Sequence, residues 1–265
     1  MGTVKVRVSC DRIDLLQATD GVEMKPIWIF TQLEVHMLNV IAINGSPRQA
    51  KGNTALILEP FLQGLEDRGA NIQLFYASRL KVKPCTCGEL ACWYRTPGEC
   101  VLKDAMQELY PQLKQAHILV IASPIYLPMP GDMQNIINRL IPLMDPQLKF
   151  MNGRTRARLR EDVQIEKVVL VAAGGWWERA NVNLLESIIE EFAANAGIQF
   201  AGAVVRPHAY AMRIGGEITP EGRGVMAAVR RAAEELIEKG EMNPDTLTEI
   251  SQPLVAREDY EEYIG

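Results

Sequence analysis

The sequence predicts an α/β protein whose core is a parallel sheet covered by helices on both faces. Three observations carry the prediction. Short apolar runs rich in Val, Ile and Leu recur along the chain, segments with helical spacing alternate with them, and several runs end in bends of small or polar residues.

In chain order, "MLNVIAIN" (37–44) is the first expected strand, apolar without interruption because both its faces are covered. A helix follows, with Asn53 or Thr54 as N-cap and Leu56, Ile57, Phe61, Leu62 and Leu65 at helical spacing until Gly69. Pro60 lies inside that run and is expected to bend or reset the helix. "NIQLFYA" (71–77) reads as the second strand, "DAMQELYPQLKQA" (104–116) as a helix and "HILVIAS" (117–123) as the third strand. "GDMQNIINRLIPLM" (131–144) is the next helix. "KVVLVAAGG" (167–175) is the fourth strand, "NVNLLESIIEEFAANAG" (181–197) a helix and "QFAGAVVRP" (199–207) the fifth strand. "EGRGVMAAVRRAAEELIEKG" (221–240) closes the series as an amphipathic helix. Right-handed βαβ units with five strands fit the flavodoxin-like order 2-1-3-4-5. Residues 1–36 precede the first strand and read as an N-terminal extension, one reading of which is β structure paired with a partner subunit. Residues 37–265 then form the main domain and its tail.

Composition narrows the function. The chain has 265 residues, 33 acidic against 28 basic, for a net charge of −5. That balance disfavours nucleic acid as a partner. No apolar run is long enough to span a bilayer, and no basic start with an apolar h-region opens the chain, so the expectation is a cytoplasmic protein without membrane association.

Ligands of such sheets sit beyond the carboxyl ends of the strands. Three loops leave strands at that edge: "NGSPRQAKGNT", "SPIYLPMPGD" and "AAGGWWERAN". In the first, Ser46, Arg48, Asn53 and Thr54 stand beside the N-terminus of a helix, whose free N–H groups favour an anion, and Gly45 and Gly52 allow close backbone approach. An ordinary capped turn is the alternative. The loop matches neither the P-loop nor the G-x-G-x-x-G fingerprint. The second loop, with Ser123, Tyr126 and three prolines, makes a stiff wall suited to a flat heteroaromatic ligand. The third offers Gly174, Gly175, Trp176 and Trp177, with Trp177 equally suited to packing a core edge.

"INGSPRQAKGNT", "ASPIYLPMPGDMQNIINR" and "CWYRTPGECVLKDAM" together resemble the NADPH-dependent FMN reductase and iron-sulfur flavoprotein group of flavodoxin-like proteins; "GGWWE", "FAGAVVRPHAY" and "ISQPLVAREDY" are similar to further segments of that group. The resemblance covers about residues 38–258. It implies bound FMN, with phosphate on Ser46, Arg48, Asn53 and Thr54. Ser123, Pro124, Ile125, Tyr126, Leu127 and Met129 would line the flavin ring, and Gly174, Gly175 and Trp176 would approach it. It further implies a reduced nicotinamide, NADH or NADPH, as electron donor, and a homodimer or homotetramer enclosing the flavin. The electron acceptor is left open. Flavin carries the chemistry of hydride transfer, so no catalytic side chain is nominated. His36, His117 and His208 are read as non-catalytic.

Cys85, Cys87, Cys92 and Cys100 crowd one loop, which in a reducing compartment points to metal or redox chemistry. Four thiolates in one short loop can close around a [4Fe-4S] cluster. The resembled group's cluster-binding members use C-x2-C-x2-C before a fourth Cys, whereas this chain moves the second thiolate and adds a residue before the third. Zinc, free thiols and a redox-active thiol pair are the alternatives. Arg154, Arg156, Arg158 and Arg160 either meet the phosphates of NADPH or form a solvated connector balanced by Glu161 and Asp162. Three functions remain distinct: an NAD(P)H-dependent flavin oxidoreductase, an iron-sulfur flavoprotein carrying electrons to a protein partner, and a flavodoxin-like binding module without turnover.

Overall fold

A computed structural model describes residues 37–264, so the expectations for residues 1–36, including the β-rich extension and His36, lie outside the described residues. The chain forms β1 (Asn39–Asn44), α1 (Asn53–Asp67), β2 (Asn71–Tyr76), the short α2 (Ala77–Leu80) and α3 (Ala91–Tyr94), α4 (Met106–Gln115), β3 (Ile118–Pro124) and α5 (Gly131–Asn138). There follow β4 (Met144–Met151), β5 (Arg154–Leu159), β6 (Lys167–Ala173), α6 (Asn183–Ala196), β7 (Gln199–Arg206), the two-residue strands β8 (Arg213–Ile214) and β9 (Glu217–Ile218), α7 (Pro220–Lys239), α8 (Pro244–Ser251) and α9 (Arg257–Ile264).

The central sheet has the order β2-β1-β3-β6-β7 and every neighbouring pair is parallel. This is the flavodoxin-like arrangement expected from the sequence, with β6 and β7 as its fourth and fifth strands. Alternate residues of each inner strand feed two cores. Ile41 and Ile43 of β1, Leu119 and Ile121 of β3, and Leu170 of β6 pack against Met106, Leu109, Met133, Ile136 and Ile189 from α4, α5 and α6. Val40, Ala42, Val120, Val169 and Val171 pack on the other face against Ile57, Phe61, Val229 and Leu236 from α1 and α7. Covering both faces removes any need for polar alternation, which is why these strands read as unbroken apolar runs. At Gly64 an added Cβ would stand 2.4 Å from the Arg230 carbonyl oxygen, so α1 and α7 approach backbone to backbone there.

Several local expectations are corrected. Pro60 does not divide α1, which runs unbroken from Asn53 to Asp67. Its N-cap is Gly52, not Asn53 or Thr54. The arginine-rich connector is an antiparallel hairpin, β4 with β5, turned at Asn152 (φ +49°) and Gly153 (φ +75°). Asn-Gly is the dipeptide that a two-residue turn with two positive φ angles demands. Its arginines are paired, in part as the connector balanced by Glu161 and Asp162 would have it: Arg154 and Arg156 with Glu191, Arg158 with Asp145 and Glu161, and Arg160 with Asp162. Among the described residues no helix is long and apolar enough to cross a membrane.

Candidate functional site

Parallel register gathers the strand exits at one edge. Asn44 lies level with Ala122, Pro124 with Ala173, and Ala173 with Arg206. The loops after β1, β3 and β6 therefore open side by side onto a cavity of about 420 Å³. Of the expected residues, Ser46, Arg48, Asn53, Thr54, Pro124, Ile125, Tyr126, Gly174, Gly175 and Trp176 line it. Ser123, Leu127 and Met129 do not. Ser123 is buried and its hydroxyl donates to the Pro124 carbonyl, Leu127 is 96% exposed, and Met129 packs into the core beside α5. Strand geometry explains this in part: Ser123 and Pro124 are consecutive in β3 and point to opposite faces.

The end at the first loop is shaped for an anion. Ser46 is held by its backbone N–H, which donates to Asn44 Oδ1 at 2.9 Å. An added Cβ at Gly52 would fall 2.5 Å from Ser46 Oγ, so a larger residue there would displace the serine. Gly52 has no side chain to cap α1, leaving the N–H groups of Asn53 and Thr54 at the start of the helix for a ligand. Thr54 Oγ1 is buried on the cavity wall without a hydrogen-bond partner among the described residues. An orphaned buried hydroxyl is costly unless something satisfies it. Among the described residues Arg48 is the only charged side chain of the lining, so the site favours negative charge at this end. These features fit the phosphate of FMN. Between Pro124–Tyr126 and Gly174–Trp176 the cavity can take a flat ring.

Gly52 lines the wall as the close-approach glycine expected of the first loop, whereas Ala173, Tyr210 and Tyr260 line it without having been singled out from the sequence. Tyr260 comes from α9, and Tyr210 from a single helical turn after β7. Behind them lies a buried polar knot. Arg206 and His208 are both fully buried. Arg206 donates from Nε to the Pro207 carbonyl at 2.7 Å and from Nη1 to the Ile250 carbonyl at 2.6 Å, and its Nη2 lies 2.9 Å from His208 Nε2. The same Nε2 accepts the Leu254 N–H at 3.0 Å, so it carries no proton, and Nδ1 supplies one towards the Trp177 carbonyl at 3.2 Å. Trp177 stacks on His208 outside the cavity wall, the packing role left open by its sequence. His117 is structural, accepting the Asn39 N–H on Nδ1.

Burial, then the Arg206 charge, pushes the His208 imidazole down to about 4, against the weaker opposing pull of the Trp177 carbonyl. The unfolded chain binds a proton near pH 6.5 that the folded chain refuses until about pH 4. Stability from this group is therefore full above the unfolded value and declines as pH falls towards the folded one. Acid titration of urea stability is expected to show a loss of about 3 kcal/mol across that window, absent in His208→Gln. A variant with the parent's slope would refute the assignment.

The cysteines occupy the stretch around α3. Cys85 is exposed, Cys87 half-buried, and Cys92 and Cys100 buried. Burial, then the neighbouring Cys87, Cys100 and Cys85, pushes the Cys92 thiol up to about 11. Burial and the Cys87 and Cys100 thiols also push up Cys85. The four are thus electrostatic neighbours. Yet no three His, Cys, Asp or Glu side chains among the described residues gather as a metal-holding group.

The sequence model of the family described as NADPH-dependent FMN reductase matches residues 38–211. An iron-sulfur flavoprotein of Archaeoglobus fulgidus is 34% identical over 107 residues, 40% of this chain and 46% of that protein. An iron-sulfur flavoprotein of Methanosarcina thermophila is 30% identical over 117 residues, 43% of this chain and 59% of that protein. The chain thus spans about half the length of these curated relatives. Among solved structures, an azoreductase from Bacillus anthracis superposes with TM-score 0.54 at 14% identity, covering 77% of this chain and 100% of that one. An NAD(P)H:quinone oxidoreductase from Methanothermobacter marburgensis does so with TM-score 0.50 at 17% identity, covering 76% and 97%. At these identities the likeness is one of fold.

Proposed function

The chain belongs to the NADPH-dependent FMN reductase family, and from that premise we propose that it is an FMN-dependent oxidoreductase that takes electrons from NADH or NADPH. The observation that carries the reading is the orphaned Thr54 hydroxyl on the wall of an anion-favouring pocket at the start of α1. When bound, FMN would accept a hydride from the reduced nicotinamide and release the electrons to an acceptor. Ser46, Arg48, Asn53 and Thr54 would hold the phosphate. Pro124, Ile125 and Tyr126 on one side and Gly174, Gly175 and Trp176 on the other would hold the ring and exclude water from its edge. Among the described residues no carboxylate or histidine lines the cavity, so these residues orient the reactants and supply no acid or base of that kind to the hydride step. Trp176 is 66% exposed and Tyr126 53%, which leaves an aromatic mouth open to a second planar reactant or to a neighbouring subunit of a homodimer or homotetramer.

A second reading, an electron carrier with an iron-sulfur cluster in the cysteine loop, is favoured by the likeness to iron-sulfur flavoproteins and by the four cysteines crowded into residues 85–100. As placed they do not form a metal site, so no electron step is assigned to them. One anaerobic experiment separates the readings. Protein loaded with FMN is expected to retain yellow pigment through gel filtration and to bleach within seconds of adding NADPH or NADH. Retained FMN that neither nucleotide bleaches would defeat the reductase, and stoichiometric iron and acid-labile sulfide in the same sample would establish the carrier. Failure to retain FMN would end both.

A further inference from the structure

The segment from Ile250 to Tyr260 crosses the exits of β6 and β7 and is bonded there at Ile250, Ser251, Leu254, Val255, Arg257 and Tyr260. Beyond the Arg206 and His208 bonds to Ile250 and Leu254, Ser251 Oγ donates to the Val205 carbonyl at 2.9 Å and Trp177 Nε1 to the Val255 carbonyl at 3.2 Å. Arg257 pairs with Glu178 at 3.1 Å. The segment ends on Tyr260, whose ring meets His208 edge-on at 6.1 Å and whose hydroxyl donates to the Gly175 carbonyl. All of it lies beyond residue 211, where the family match stops.

That last bond completes a pattern. Each carbonyl from Gly174 to Trp177 is taken up by the protein: Gly174 by the Ala209 N–H, Gly175 by Tyr260, Trp176 by the His208 N–H and Trp177 by His208 Nδ1. The N–H groups of Gly175 and Trp176 have no protein acceptor among the described residues. In a planar trans peptide the C=O and the following N–H point in opposite directions, so pinning the Gly175 carbonyl turns the Trp176 N–H away from Tyr260. The buried Arg206 makes no ion pair among the described residues, an expensive arrangement for a guanidinium, and two of its three bonds serve this segment, directly at Ile250 and through His208.

We propose that the Ile250–Tyr260 segment is a latch completing the ligand site, and that Tyr260 is a positioning residue: its hydroxyl holds the Gly175–Trp176 peptide so that the Trp176 N–H serves the acceptor edge of a planar heteroaromatic ring. The proposal rests on the flavin reading above. Burial, with Glu178 and Tyr210, pushes the Tyr260 phenol up, so it stays protonated and remains the donor at neutral pH.

The test compares the full chain with Tyr260→Phe, titrated with FMN and with riboflavin by flavin fluorescence, with visible spectra of the bound forms. The variant is expected to weaken both ligands by the same factor, about tenfold, and to shift the visible bands of the bound flavin, because the lost contact orients a ring donor and not a phosphate ligand. Parent-like affinity and spectrum, even with a lower melting temperature of the flavin-free chain, would make Tyr260 an anchor of the fold only and overturn the proposal. Weakening confined to FMN would also overturn it. A parent chain that binds neither compound would remove the flavin reading, and the latch with it.

Discussion

Asp104→Ala is expected to cost about 3–5 kcal/mol of folding stability, read from urea denaturation, because it leaves a buried guanidinium without its counter-ion. Arg139 and Asp104 are 1% and 6% exposed and form a two-pronged pair, with Nη1 to Oδ2 at 2.8 Å and Nη2 to Oδ1 at 3.0 Å. The carboxylate also accepts the N–H groups of Lys83 at 3.0 Å and Met106 at 3.1 Å, and Arg139 donates to the Lys83 carbonyl at 2.9 Å. Lys83 and Asp104 bracket the cysteine stretch, so one ion pair closes the base of that loop and fastens it to the end of α5. The variant should accordingly expose Cys92 and Cys100 to alkylation, at rates the parent does not show. Burial pushes the Asp104 carboxyl up, but the bonds from Arg139, Lys83 and Met106 outweigh it and hold the group below the usual carboxylate range. Its stabilising effect is therefore complete above about pH 4 and is lost as pH falls through the depressed folded value. Asp104→Asn should lie between parent and alanine. A loss under about 1 kcal/mol in the alanine variant would show that Arg139 finds water or another partner once Asp104 is gone, and would refute the prediction.

Thr54→Val has the largest effect expected on binding with the least on folding. A hydrogen bond to a charged group is worth about 1.5–3 kcal/mol, so FMN affinity should fall about 10- to 100-fold. Riboflavin, which lacks the phosphate, should bind as it does to the parent. Stability should hold or rise slightly, since a buried hydroxyl without a partner becomes a methyl group of the same shape. Equal losses for FMN and riboflavin would place the phosphate elsewhere. The contrast with Tyr260→Phe, which should weaken both, separates the two ends of the cavity.

How much of this was legible beforehand follows from the range of the forces involved. The ladder of strands and helices was legible, because burial on both faces of a parallel sheet imposes a local pattern. Ten of the thirteen expected ligand contacts reach the cavity wall, since they follow strand ends whose register is set by that same pattern. The hairpin carried a local signal as well: Asn152-Gly153 is a strong turn cue, outweighed in the reading by the run of arginines around it. Ser123 and Met129 fall behind the wall and Leu127 projects from it. Loop membership alone does not fix which side of a backbone a side chain takes.

The sequence by itself determined the strands, the helices and the anion-favouring bend at the start of α1, which depend on residues near one another in the chain; the sheet order followed from the known fold that this alternation fits. Only the tertiary structure decided that Tyr260 would close a cavity opened by Ser46, that Asp104 would lie buried on Arg139, and that the Arg206 cation would stand beneath the site without an acidic partner among the described residues. Charge and aromatic side chains have no periodicity that reveals their partners. Their energies depend on burial and on contacts across tens to hundreds of residues, and those exist only once the chain has folded.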